Sequence, residues 1–78
     1  MAKSNGRIKE LVFMYEDNLR TSGPSFYMEA LDLLDVMDYY LQKGRSYDAE
    51  TCLRHALRIH PDNEDVLLAQ AYALKEEG

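Results

Sequence analysis

Residues 30–63, ALDLLDVMDYYLQKGRSYDAETCLRHALRIHPDN, decide how the chain folds. Leu33, Leu34, Val36, Met37, Tyr40 and Leu41 recur at steps of three and four, the spacing of one side of an α-helix, with Met28 and Ala30 upstream. Glu29, Asp32, Asp35 and Asp38 interleave at threes and mark the other side. Gly44 ends this helix at about Lys43, because glycine adopts the left-handed conformation that closes a helix at little steric cost. Ser46 is expected to cap a second helix from Tyr47 to about His60. Its inward side is Ala49, Cys52, Leu53, Ala56, Leu57 and either Ile59 or His60. Arg54, Arg58 and His60 place positive charge near its C-terminus, where the helix dipole favours it. Pro61 cannot continue the helix and closes it. The stretch therefore reads as helix, turn, helix.

Working outward from it, residues 7–20 place Ile8, Leu11, Val12, Tyr15 and Leu19 on one helical face. Phe13 and Met14 widen that apolar surface enough for contacts on two sides. Met1 to Gly6 is expected to fray. Thr21-Ser22-Gly23-Pro24 stops the helix, and Ser25 is placed to cap the next one, with Phe26 and Tyr27 entering its first turn. On the C-terminal side, Asp62 and Asn63 offer a cap, and Glu64 and Asp65 put negative charge in the first turn of a fourth helix. Val66, Leu67, Leu68, Ala71, Tyr72 and Leu74 give that helix a period near 3.6, running to Gly78. No segment alternates with period two between turns, so no strand is expected. The fold class is all-α, with four helices in a single domain.

Composition narrows the function. At 78 residues the chain sits near the lower size limit for a self-sufficient core. Its single cysteine, Cys52, excludes an intrachain disulfide and fits a reducing compartment. Hydrophobic residues at 46% and charged residues at 29% are a foldable composition. The net charge of −5 repels nucleic-acid phosphates and anionic lipid, so neither is an expected partner. The longest apolar run, Leu11 to Tyr15, is far too short for a membrane span, and no apolar segment follows the N-terminal charges as a signal peptide would require. A cytoplasmic location is the expectation.

Sliding the chain by about 34 residues lays Leu33 on Leu67, Leu34 on Leu68, Met37 on Ala71, Tyr40 on Leu74 and Gly44 on Gly78. At this register the chain resembles the tetratricopeptide repeat family, whose hallmark is W-x2-L-G-x2-Y, then A-x3-F, then P. Leu33 stands at the large first residue, Val36 and Met37 at the Leu-Gly pair, and Tyr40 at the tyrosine. Gly44 stands at the turn, Ala49 and Ala56 at the small residues of the second helix, Leu53 at the aromatic and Pro61 at the terminator. Met37 is bulkier than the family favours, and Ser46 and Tyr47 are shifted by one against the usual turn aromatic. The resemblance covers residues 30–78. It implies one full repeat (30–63), the first helix of an incomplete one (64–78), and an N-terminal capping helix (7–20): a fragment of a right-handed α–α superhelix.

The resemblance also implies a binding surface, because in this family the first helix of each pair lines a concave groove. Carried over by position, the groove residues are Leu31, Leu34, Asp38, Leu41, Leu68 and Tyr72, an apolar floor suited to an amphipathic helix or extended peptide. The alternative is that the chain's own N-terminal helix, or a second copy in a homo-oligomer, covers these residues. Leu34 and Asp38 occupy positions where some members carry a carboxylate clamp, and Asp38 would repel a carboxylate, which disfavours that adaptor role. Steps of three drift around a helix, so Glu29, Asp32, Asp35 and Asp38 read as a solvated face rather than a cation site. Cys52 and His55 have ligand-like spacing, but His60 lies five residues from His55 and on a different face, so no metal is expected and a buried thiol is the better reading. Nothing assembles into a nucleophile elbow, phosphate loop or paired catalytic carboxylates, so no catalytic residue or cofactor is expected. The expectation is a non-catalytic protein–protein interaction module, with a self-associating structural unit as the alternative.

Overall fold

A computed structural model of the chain describes residues 2–23 and 26–77, with side chains described for 6–23 and 26–73. Four helices follow one another: α1 (Ala2–Ser22), α2 (Ala30–Gln42), α3 (Ser46–Ile59) and α4 (Glu64–Glu77). No strand occurs among the described residues, and no helix there is long and apolar enough to cross a membrane.

The α2–α3 hairpin is the centre of the molecule, and its turn explains why. Gly44 adopts φ +75°. That lets the Arg45 amide reach back to the Tyr40 carbonyl at 2.8 Å and the Gly44 amide to Leu41 at 3.1 Å. The pair of bonds satisfies carbonyls that the end of α2 would otherwise leave open. Ser46 is the first residue of α3 rather than its cap, a correction to the sequence reading. Arg45 holds the capping position with no side-chain cap bond. Its guanidinium instead spans the turn, 2.8 Å from Asp48 and 4.9 Å above the Tyr40 ring.

Small residues let α3 approach α2. Ala49, Cys52 and Ala56 are buried along the α3 face that meets Leu33, Val36 and Tyr40 of α2, all of them almost without exposure. Replacing a methyl-sized side chain there would force the helices apart. Leu53 fills the space beside the alanines, and Met37 is half-buried at the same seam. The expected repeat-signature side chains thus form one cluster, with Pro61 in the turn after α3.

α1 packs on α2 through Leu11, Val12 and Tyr15, with Ile8 and Leu19 at the margins. It is longer than the expected 7–20, since residues 2–6 continue the helix. A single Gly6 costs a helix interior only about 1 kcal/mol, too little to stop it. Gly23, at φ +78°, ends α1 as expected, whereas Pro24 and the Ser25 cap fall outside the described residues. Phe13 and Met14 stay exposed, so the second contact side expected for α1 carries no packing among the described residues. Arg7 bonds Asp32 at 2.8 Å, so one acid of the expected solvated row joins α1 to α2.

α4 lies across both α2 and α3. The Asn63 side chain accepts a hydrogen bond from the Val66 amide at 3.1 Å, the expected cap, with Glu64 and Asp65 in the first turn. Val66 is fully buried, while Leu67, Leu68 and Tyr72 are exposed.

Candidate functional site: a groove across α2 and α4

Residues 31, 34, 38 and 41 step by three and four along α2, and 65, 68, 69 and 72 do so along α4, so each set forms one stripe. The two stripes face the same depression. Leu31, Leu34, Asp65, Leu68, Ala69 and Tyr72 line a hollow of about 420 Å³. It continues at Ala69 and Tyr72 into a second of about 620 Å³, lined by Met37, Asp38, Leu41, Ser46, Ala49, Glu50 and Ala73 as well. The start of α2 meets the start of α4 in one hollow and their ends meet in the other, so the two helices run in the same direction. The result is a trough that follows α2 from Leu31 to Leu41, about 15 Å at the helical rise.

All six expected groove residues line this trough. Leu68 and Tyr72 are 68% and 72% exposed, and Leu31 and Leu41 are also open. No α1 residue lines either hollow: α1 packs on α2, and it borders the trough only at Asp38, which also lines a separate hollow with Ile8, Lys9 and Lys43. Sequence reasoning missed Asp65 and Glu50. Asp65 was legible, since the 34-residue register that pairs Leu34 with Leu68 also pairs Leu31 with Asp65. Glu50 comes from the first turns of α3, and only the hairpin geometry brings it to the trough.

The charged residues lining the trough are all acidic. Asp38 accepts a hydrogen bond from the neutral Gln42 amide at 2.8 Å. The ion pairs among the described residues join Arg7 to Asp32, Arg20 to Asp17 and Arg45 to Asp48, and none engages Asp38, Glu50 or Asp65. Glu50 sits four residues before Arg54 without pairing to it.

A second cluster lies away from the trough, on the segment 26–29. This segment is not helical, so α2 starts at Ala30 rather than with Phe26 and Tyr27 in its first turn. The reason is a competing set of partners. His55 Nε2 donates to the Phe26 carbonyl at 2.9 Å, and His60 Nε2 donates to the Met28 carbonyl at 2.7 Å. A carbonyl can only accept, which fixes the proton on each of those nitrogens. The His55 ring lies 4.4 Å from the Phe26 ring, and that of His60 5.3 Å from Tyr27. The two histidines, expected on different faces, therefore serve one segment: His60 stands just past the end of α3, where the chain has left the helix.

Beneath this segment Tyr15 is the hub, with ring centroids 5.7 Å from Phe26, 6.2 Å from Tyr40 and 6.1 Å from His55. Its hydroxyl adjoins the Cys52 thiol, and burial pushes it above the usual tyrosine range. Tyr40 donates to Glu16 at 2.5 Å, and burial, that hydrogen bond and the Glu16 charge all hold it protonated. Burial pushes the Cys52 thiol up to about 12. The thiol donates to the Leu33 carbonyl at 3.2 Å. Cys52 and His55 thus address different carbonyls, and the described residues include no group of three or more His, Cys, Asp or Glu able to hold a metal ion. A protonated, shielded thiol is a poor nucleophile.

No protein-family model, no curated protein and no solved structure matches the chain.

Proposed function

We propose that the chain is a non-catalytic protein–protein interaction module of tetratricopeptide-repeat type, taking a peptide or helix in the trough across α2 and α4. One observation carries this reading: the six side chains at groove positions of the 34-residue register adjoin one another on one open surface. An apolar floor with few polar groups suits a partner whose own apolar side chains repeat at helical or extended spacing. In this reading α1 caps the repeat, Ala49 and Ala56 set the helix approach, and the cytoplasm supplies the reducing setting that suits the free Cys52.

The test is a peptide-display selection on the whole chain, followed by titration of the selected peptide into ¹⁵N-labelled protein. Amide shifts should concentrate on 31–41 and 65–72. Selected peptides whose shifts map to the α1 surface or to the segment 26–29 would overturn the reading.

A second reading, self-association or membership of a longer helical stack, is supported by α4 itself. Leu67 is 43% exposed and Ala71 is open, whereas 34 residues earlier Leu33 is fully buried and Met37 half-buried. A face built for a covering helix therefore stands uncovered on α4. Light scattering over a concentration series distinguishes the cases. A dimer that reverts to monomer on Leu67→Ser favours the second copy, and a strict monomer at high concentration removes it.

A further inference from the structure

The trough is uncharged along its floor and uniformly negative among its charged lining residues. Asp65 stands at one end, beside Leu31 and Leu34, and Asp38 and Glu50 stand at the other, beside Met37 and Leu41. None of the three is neutralised by an ion pair with a described residue, and no lysine or arginine lines either hollow. Resting on the groove reading above, we infer that the occupant is a foreign peptide segment with an apolar face bracketed by lysine or arginine. Two arguments lead there. First, an apolar segment alone would be held with no orientation, whereas a basic residue at each end meets Asp65 and the Asp38–Glu50 pair and fixes its register. Second, the chain carries −5 overall, so a second copy brings the wrong sign to the same surface, and an acidic segment is repelled on approach. The three carboxylates are exposed at the margins of an apolar area, so they meet a cation without the cost of burying a charge.

The experiment selects the full chain against three peptide libraries with the same randomised apolar core, flanked by lysine, glutamine or glutamate. A triple variant, Asp38→Asn, Glu50→Gln and Asp65→Asn, is run beside a control that removes the same charge elsewhere, Glu10→Gln, Asp17→Asn and Asp62→Asn. The expected result is that the lysine-flanked winners bind at least tenfold tighter than their glutamine-flanked counterparts. The glutamate-flanked ones should be weaker still. That preference should fall to within about twofold in the trough variant, survive in the control, and shrink as salt is raised. Equal binding by all three libraries, with shifts on α2 and α4, would overturn the inference and leave the groove reading standing. A lysine preference that persists in the trough variant reports only net charge and also overturns it. Enrichment from none of the libraries, with the chain dimeric at the selection concentration, overturns both.

Discussion

His60 and Met28, 32 residues apart, are joined through a 2.7 Å hydrogen bond from the imidazole Nε2 to a main-chain carbonyl. His55 makes the matching bond to Phe26, so one side chain of α3 and one just past its end hold the backbone that links α1 to α2. Deleting either should loosen that link. His60→Ala, partly exposed, should cost about 1 kcal/mol, the net worth of one hydrogen bond. His55→Ala also empties a buried ring site and should cost about 2–4 kcal/mol. Urea unfolding read from the midpoint at constant slope checks both. His60→Gln, which keeps an N–H donor, should recover part of the loss; no recovery would mean that ring packing on Tyr27 matters and the hydrogen bond does not.

The glycines separate by backbone rather than by space, since a Cβ would meet nothing within 4 Å at any of Gly6, Gly23 and Gly44. Gly23 and Gly44 have positive φ, so alanine there should destabilise by about 1 kcal/mol. Gly6 lies inside α1, and Gly6→Ala should stabilise by up to about 1 kcal/mol. Opposite signs in thermal melts are the expected readout.

Stability should fall in alkali. An unfolded chain releases the Cys52 proton near pH 9, whereas the folded chain keeps it until about 12. Between those values the native state binds more protons, so its advantage is complete below pH 9 and shrinks as the pH rises through the window, by at most about 1.4 kcal/mol per pH unit for one group. Tyr15 and Tyr40, both shifted upward, add to the decline above about 10. Urea midpoints at pH 8, 9.5 and 10.5 should drop progressively, and less steeply in Cys52→Ala. A pH-independent midpoint would contradict the assignment. Alkylation of Cys52 should likewise proceed only as fast as the chain opens.

Tyr40 combines a buried ring with a hydroxyl that reaches Glu16 on α1. Tyr40→Phe removes only that link and should cost about 1 kcal/mol, because the exposed Glu16 regains water. Tyr40→Ala also opens a cavity among Tyr15, Arg45 and α3, and should cost about 3–5 kcal/mol. Chemical denaturation of the two variants side by side gives the split.

Leu68→Ser and Tyr72→Ser alter exposed side chains, so each should leave stability within about 0.5 kcal/mol. Both should nevertheless weaken capture of a selected peptide at least tenfold. Loss of stability together with binding would mean that these residues support the fold, which their exposure argues against.

Helical periodicity made the four helices legible, because in α1, α2 and α3 the apolar stripe buries against a neighbour and the pattern records that burial directly. In α4 the same period survives although, among its described side chains, only Val66 is buried. Gly23, Gly44 and Asn63 were legible for local reasons: two positive-φ stops and one side-chain cap. The segment 26–29 was not. Phe26 and Tyr27 are compatible with a helix on local grounds, and the partners that draw their backbone elsewhere, His55 and His60, lie about thirty residues away. The burial of His55 was not legible for the same reason, since it lies outside the inward side read for α3 and its ring partners, Phe26 and Tyr15, lie on distant segments. In the trough, the α2 and α4 residues followed from one register. Glu50 did not, because it reaches the site from α3, which the register of α2 and α4 does not include.

The segment held by His55 and His60 also orders events in time. Its two donors are His55 in the second half of α3 and His60 just past its end, so its docking positions do not exist until the α2–α3 hairpin has closed. That hairpin needs only the three-residue connection Lys43–Arg45 and contacts local in sequence, the kind that form early. α1 therefore settles after the α2–α3 hairpin and leaves before it opens. Native-state hydrogen exchange should show its amides opening at lower free energy than those of α2 and α3. A single opening event shared by all three helices would disprove that sequence.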